Sequence, residues 1–196
     1  MAYTNKKTAI NKLKERANFS SKNFDNFRDD KEVVLVALDN EKSQYNSQYQ
    51  PSVYWNISDR LKTDREVALK TVEKLGRLYQ SVVEYFPNDK EIMLTAIKGD
   101  SFAFESIVDE CKNDRDFTIE AIKINPRILT YISDSFKEDK EIVLYSIAGL
   151  ADENFQVEGI YLHIGKNLLS NKEFATDATK LDGRILRFLG NEFYLT

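Results

Sequence analysis

The segment Asp89-Lys90-Glu91-Ile92-Met93-Leu94-Thr95-Ala96-Ile97 returns as Asp114-Arg115-Asp116-Phe117-Thr118-Ile119-Glu120-Ala121-Ile122 and again as Asp139-Lys140-Glu141-Ile142-Val143-Leu144-Tyr145-Ser146-Ile147, a period of 25 residues. Asp64-Arg65-Glu66-Val67 keeps that period upstream. Asp30-Lys31-Glu32-Val33 lies 34 residues before Asp64, and Asn171-Lys172-Glu173-Phe174 lies 32 after Asp139, so two units carry insertions of 9 and 7 residues. A chain that repeats at this interval is built from one small supersecondary piece used about six times. Each copy must bury its apolar face against its neighbours.

The recurring places have physical reasons. Asp at the first place accepts hydrogen bonds from the free N–H groups of a helix start, and the acid two residues on favours the positive end of the helix dipole. Val33, Val67, Ile92, Phe117, Ile142 and Phe174 then open an apolar face. Seven residues after the cap comes a small side chain, Ala37, Thr71, Ala96, Ala121, Ser146 or Ala178, which allows close approach of neighbouring helices.

A second apolar series with spacings of three and four follows in every unit. Leu78, Tyr79, Val82, Val83 and Phe86 correspond to Val53, Tyr54, Ile57 and Leu61, and to Ile160, Tyr161, Ile164 and Leu168. Two helices of about 10 residues fill such a unit, each about 15 Å long at ~1.5 Å rise per residue and too short to persist alone. The expected architecture is all-α: a solenoid-like array of about six helical-hairpin repeats of ~25 residues. One domain spans residues 1–196, with repeats over 20–193. An N-terminal capping helix lies within 1–19, with Ala9, Ile10 and Leu13 on one face.

Composition agrees. With 7 Gly and 3 Pro, tight turns are too few for a sandwich or barrel. No apolar run reaches membrane-spanning length, residues 1–20 lack the apolar stretch of a signal peptide, and Cys111 has no second cysteine to pair with. A cytoplasmic protein is expected. The net charge of −4 argues against a dedicated nucleic-acid binder. Within residues 1–19, however, Lys6, Lys7, Lys12, Lys14 and Arg16 stand against Glu15 alone, a local +4 that leaves −8 elsewhere.

The 25-residue unit with its Asp-Lys-Glu-Val-Val-Leu opening, residues 30–35, resembles the family catalogued as domain of unknown function 4116. The resemblance runs over about residues 20–193. It implies repeated helical units and, the family having no assigned activity, transfers no catalytic residue. Asn171 for Asp, Thr176 and Thr179 for aliphatic residues, and the two insertions depart from the pattern.

The residues offer little chemistry. Asp64, Glu66, Asp89, Glu91, Asp114, Asp116, Asp139 and Glu141 are accounted for by helix starts. His163, the one histidine, would have to serve any Ser-His-Asp or Cys-His system. It sits where other units place Asn56, Ser81, Ser106, Tyr131 and Phe188, a partly exposed place indifferent to residue type. Cys111 falls on the core place of Leu61, Phe86, Phe136 and Leu168 and reads as a small buried hydrophobe. One His and one Cys cannot make a tetrahedral zinc site, and no Gly-rich phosphate loop is present. We expect no enzyme, no cofactor and no bound metal.

A partner surface is better supported. The first insertion, residues 41–52, mixes Tyr45 and Tyr49 with Ser, Asn and Gln, the composition of adaptable binding loops. Trp55 follows, at a place elsewhere held by Gln80, Glu105, Thr130, Leu162 and Arg187, so it should face outward while Tyr54 faces in. The second insertion carries Phe155, and both insertions are expected on one edge. Arg77, Arg127 and Arg184 share one repeat place. The leading expectation is an interaction protein with a protein partner. An acidic inhibitor of a nucleic-acid-handling enzyme, of the phage anti-defence type, is the alternative; nucleic-acid binding through the Lys-rich N-terminus is the second.

Overall fold

The computed structural model describes residues 2–15, 18–19, 21–41, 52–151 and 157–190. Among them every regular element is helical and no strand occurs. The chain divides into two compact units, Met1–Ala103 and Phe104–Thr196.

The first unit opens with α1 (Lys6–Lys14), capped by Asn5, whose side chain accepts from Thr8 N–H. Ala9 and Leu13 are buried and Ile10 half-buried. After a 3-10 turn at Lys22–Phe27 come α2 (Lys31–Asp39), a 3-10 turn at Val53–Asn56 and the one-turn α3 (Asp59–Lys62). Next are α4 (Arg65–Lys74), a 3-10 turn at Gly76–Leu78 running into α5 (Tyr79–Val82), and α6 (Lys90–Gly99). A 3-10 turn at Ser101–Ser106 leads on. The second unit holds α7 (Asp109–Lys112), α8 (Arg115–Ile124), a 3-10 turn at Pro126–Thr130, α9 (Asp134–Lys137) and α10 (Lys140–Leu150). It ends with α11 (Glu158–Tyr161), α12 (Lys166–Leu169), α13 (Lys172–Leu181) and a 3-10 turn at Gly183–Phe188.

The cap reading holds at each long helix after α1. Asp30, Asp64, Asp89, Asp114, Asp139 and Asn171 each have extended backbone and accept from the N–H three residues on. The apolar register follows: Val33, Val34, Ala37 and Leu38 of α2 are buried, as are Ile92, Met93, Ala96 and Ile97 of α6. Thr71, Thr118 and Ser146 are buried and satisfied, donating to Val67 O, Asp114 O and Pro126 O.

Two features differ from the sequence expectation. The second arm of a unit is not one ten-residue helix. In four units it breaks at an extended residue, Ser58 (ψ 154°), Val108 (ψ 144°), Ser133 (ψ 154°) or Gly165 (ψ 141°), before a single α turn, while the Gly76–Leu78 turn runs unbroken into α5. Local side-chain acceptors compete with helix continuation: Ser58 Oγ takes Leu61 N–H, Asn125 takes Arg127 N–H and Asp182 takes Arg184 N–H. The small residue at the seventh place also serves a different neighbour. A Cβ on Gly76 would stand 2.3 Å from Ala96 O, and Ser146 bonds Pro126 O, so these small residues admit the start of the preceding 3-10 turn. Cys111 is half-buried rather than buried.

Candidate interaction surface

The helix starts are engaged with one another. In the first unit, Lys6 Nζ reaches Asp30 (2.9 Å) and Glu32 (2.6 Å), Lys31 reaches Asp64 and Glu66 (2.8 Å each), and Arg65 reaches Asp89 (2.6 Å) and Glu91 (2.5 Å). In the second unit, Arg115 takes Asp139 (2.8 Å) and Glu141 (2.6 Å), and Lys140 takes Glu173 (2.6 Å) and Asp177 (2.8 Å). The basic residue just after one cap thus clasps the acids that open the next long helix. The Arg65 and Arg115 guanidinium groups hold Asp89 and Asp139 below the usual carboxylate range. Because α13 is capped by the uncharged Asn171, the last rung moves to Glu173 and Asp177. These carboxylates are therefore occupied by cations. Lys6 and Lys12, two of the N-terminal cations, are likewise paired, Lys12 with Glu15 at 2.6 Å.

The two insertion-bearing units share a further device. Asp29 and Glu138 each stand immediately before the cap Asp of such a unit. Asp29 accepts from Ser58 Oγ and from Arg60 Nε (2.9 Å), while Ser58 N–H bonds Arg28 O (2.9 Å). Glu138 accepts from Asn167 N–H (3.3 Å) and Leu168 N–H (3.2 Å), while Gly165 N–H bonds Lys137 O (2.9 Å). In each case the acid ties down the one-turn helix that follows the insertion.

Trp55 is 53% exposed. It lies in the Val53–Asn56 turn, held by Ser52 Oγ on Tyr54 N–H, Glu41 on Val53 N–H (3.0 Å) and Arg28 on Asn56 O (2.9 Å). Tyr54 faces inward, 1% exposed, with its hydroxyl donating to Ser81 O (3.3 Å) and its ring set edge-on to the indole at 5.8 Å. Burial raises the Tyr54 phenol well above its ordinary value, so it stays neutral. Tyr54 is thus support rather than contact surface, because a residue so covered offers nothing to a partner. Glu41, beneath the same turn, has a buried Oε2 with no hydrogen-bond partner, and desolvation raises its carboxyl.

Tyr45, Tyr49 and Phe155 lie outside the described residues. Arg77 pairs with Asp100 (3.2 Å) and stacks over Phe102 (5.8 Å), and Arg127 is half-buried. Arg184 is a structural residue. It pairs with the 8%-exposed Asp182 at 2.6 Å and donates to Leu150 O and Ala151 O, closing the C-terminal carbonyls of α10. Leu162, not singled out from the sequence, is the most exposed large hydrophobe among the described residues, at 72%. Its signal was its place: it is the counterpart of Trp55 in the other insertion-bearing unit. His163 is half-buried, beside Leu162.

These features define, over the described residues, an all-helical protein whose cap-place acids are engaged at helix starts and whose half-exposed Trp55 sits on an anchored turn. The family described as Domain of unknown function (DUF4116) matches residues 89–137 and 114–148, two overlapping placements that begin one period apart. No curated protein and no solved structure matches the chain. Among the described residues, no helix is long and apolar enough to cross a membrane.

Proposed function

We propose that this chain is a non-catalytic helical-repeat protein that binds another protein, with Trp55 as the anchor. The observation that carries the reading is the half-exposed indole fixed on a buried tyrosine in a turn held from three sides. A large aromatic held rigid before binding loses little entropy on contact, and such residues dominate interface energetics. Leu162 at the equivalent place supports the same use of the turn in the second unit. The reading takes the molecule as one solenoid-like domain of stacked units. The recurring caps, the ion-pair rungs and the two family placements 25 residues apart support that arrangement.

The test is capture from the source lysate with wild type, Trp55→Ala and Leu162→Asp, read by mass spectrometry. One protein enriched by wild type and lost with Trp55→Ala carries the proposal. Capture that survives both changes but collapses between 50 and 300 mM salt, steps of screening set by the Debye length of ~8–10 Å, would transfer the reading to the acidic surface and the inhibitor alternative.

A further inference from the structure

We propose that a row of half-buried aliphatic residues on the long helices of the first unit, Ile10, Leu35, Leu69 and Leu94, docks an amphipathic helix of another protein that carries acids beside its apolar stripe. The row lies on the long helices and is independent of Trp55, which stands on a second arm.

The turn of the helix sets the row. Counted from the cap, the third, fourth, seventh and eighth places are buried, as Ile92, Met93, Ala96 and Ile97 of α6 show. At 3.6 residues per turn, the opposite strip holds the first, second, fifth, sixth and ninth places. Ion pairs show that the strips of neighbouring helices open to the same side. Lys31 and Arg65, at first places, reach Glu66 and Glu91, which stand at the second place of the next helix and are 65% exposed. Lys70, at a sixth place, reaches Asp39 at the ninth place of the helix before (2.7 Å). Between these two lines of ion pairs runs the fifth place. It is aliphatic in α1, α2, α4 and α6, with Val36 beside Leu35, and it faces water although the buried side of each helix is already filled. In the second unit the strip differs: Lys123 Nζ lies over the Tyr145 ring (4.1 Å), and the exposed Thr176 replaces the aliphatic residue in α13.

Spacing and charge select the occupant. Packed helices stand ~8–10 Å apart, and seven residues of helix rise ~10.5 Å. A helix laid across α2, α4 and α6 therefore sets one apolar residue of each heptad on each member of the row. The acids of the strip are taken: Glu32, Asp39, Glu66, Glu73 and Glu91 each have a cation within this unit. Lys14 and Lys98, both at ninth places, are exposed and have no carboxylate partner among the described residues. The charge left over along this border is positive, so acids beside the stripe of the incoming helix are favoured. A second copy fits poorly, because its own row brings the same unpaired cations and no free acid.

The probe is an end-blocked peptide of three heptads with Leu at the first and fifth places, Glu at the second and fourth, and Ala elsewhere. Titrated into the isotope-labelled full chain, it should shift amide resonances over residues 31–39, 65–74 and 90–98 with affinity on the order of 10⁻⁴ M, as befits a small contact. Leu69→Asp should weaken it roughly tenfold, about the worth of half a buried leucine. Lys98→Glu, at an exposed site that leaves the fold intact, should weaken it by up to about fivefold, the most an exposed ion pair contributes. Circular dichroism spectra of both variants should match wild type, and the same peptide with Lys for Glu should bind more weakly. The proposal is overturned by shifts centred outside these three helices, by binding indifferent to either variant, or by equal binding of the Lys peptide. It is also overturned if sedimentation shows a dimer of the wild-type chain that Leu69→Asp dissolves. None of these outcomes bears on capture by Trp55.

Discussion

At the scale of the residue, one aspartate does two jobs. Asp89 accepts from Ile92 N–H and from Arg65, so Asp89→Ala should cost about 1–2 kcal/mol in urea denaturation, the range of a lost cap. Asp89→Asn, which keeps the cap and loses only the charge, should stay within about 1 kcal/mol. The depressed carboxyls of Asp89 and Asp139 bind protons less readily folded than unfolded. Their stabilisation is complete above the unfolded value near ~3.9 and disappears as pH falls through the lower folded value. Glu41 has the opposite sign. Its carboxyl is raised by burial, so its charged form opposes folding, and the loss sets in as pH rises from the unfolded value through the folded one. Glu41→Gln should remove that part of the pH dependence: thermal melts at pH 7 and pH 4 should differ less for the variant than for wild type.

At the scale of the element, backbone packing decides which glycines matter. A Cβ on Gly76 would lie 2.3 Å from Ala96 O and 2.7 Å from Asp100 N, both backbone atoms with no room to yield. Gly76→Ala should therefore destabilise by about 1–3 kcal/mol through overpacking. A Cβ on Gly159, within α11, meets nothing inside 4 Å, and Gly159→Ala should stabilise by about 0.5–1 kcal/mol through helix propensity. The acid before the cap has its own signature. Glu138→Ala should speed hydrogen exchange at the Asn167 and Leu168 amides, which it accepts from, and leave the amides within α8 unaffected.

At the scale of the molecule, the rungs and the core contribute unequally. The clasping cations and their acids are largely exposed, so solvent screens each pair, whereas burying one Ile or Phe is worth about 1.5–3 kcal/mol. Raising salt to 1 M should lower the melting temperature by only a few degrees, while Ile97→Ala, at a fully buried site, should cost about 2–5 kcal/mol. A large collapse in high salt would show that the rungs, not the apolar faces, hold the helices.

How much was legible follows from the range of the interactions involved. Helix starts, the buried register of the long helices and the outward turn of Trp55 are set by residues within one turn of each other, so the 25-residue frame displayed them directly. Arg65 and Arg115 were visible as repeat residues, but what they clasp depends on which acids a neighbouring helix brings within 3 Å. The ties from Asp29 and Glu138 and the bonds of Arg184 to the end of α10 likewise arise between residues 29 to 33 positions apart. A periodic sequence states the unit, because capping and apolar spacing are local; only tertiary packing decides what each unit's surplus charges and exposed side chains meet.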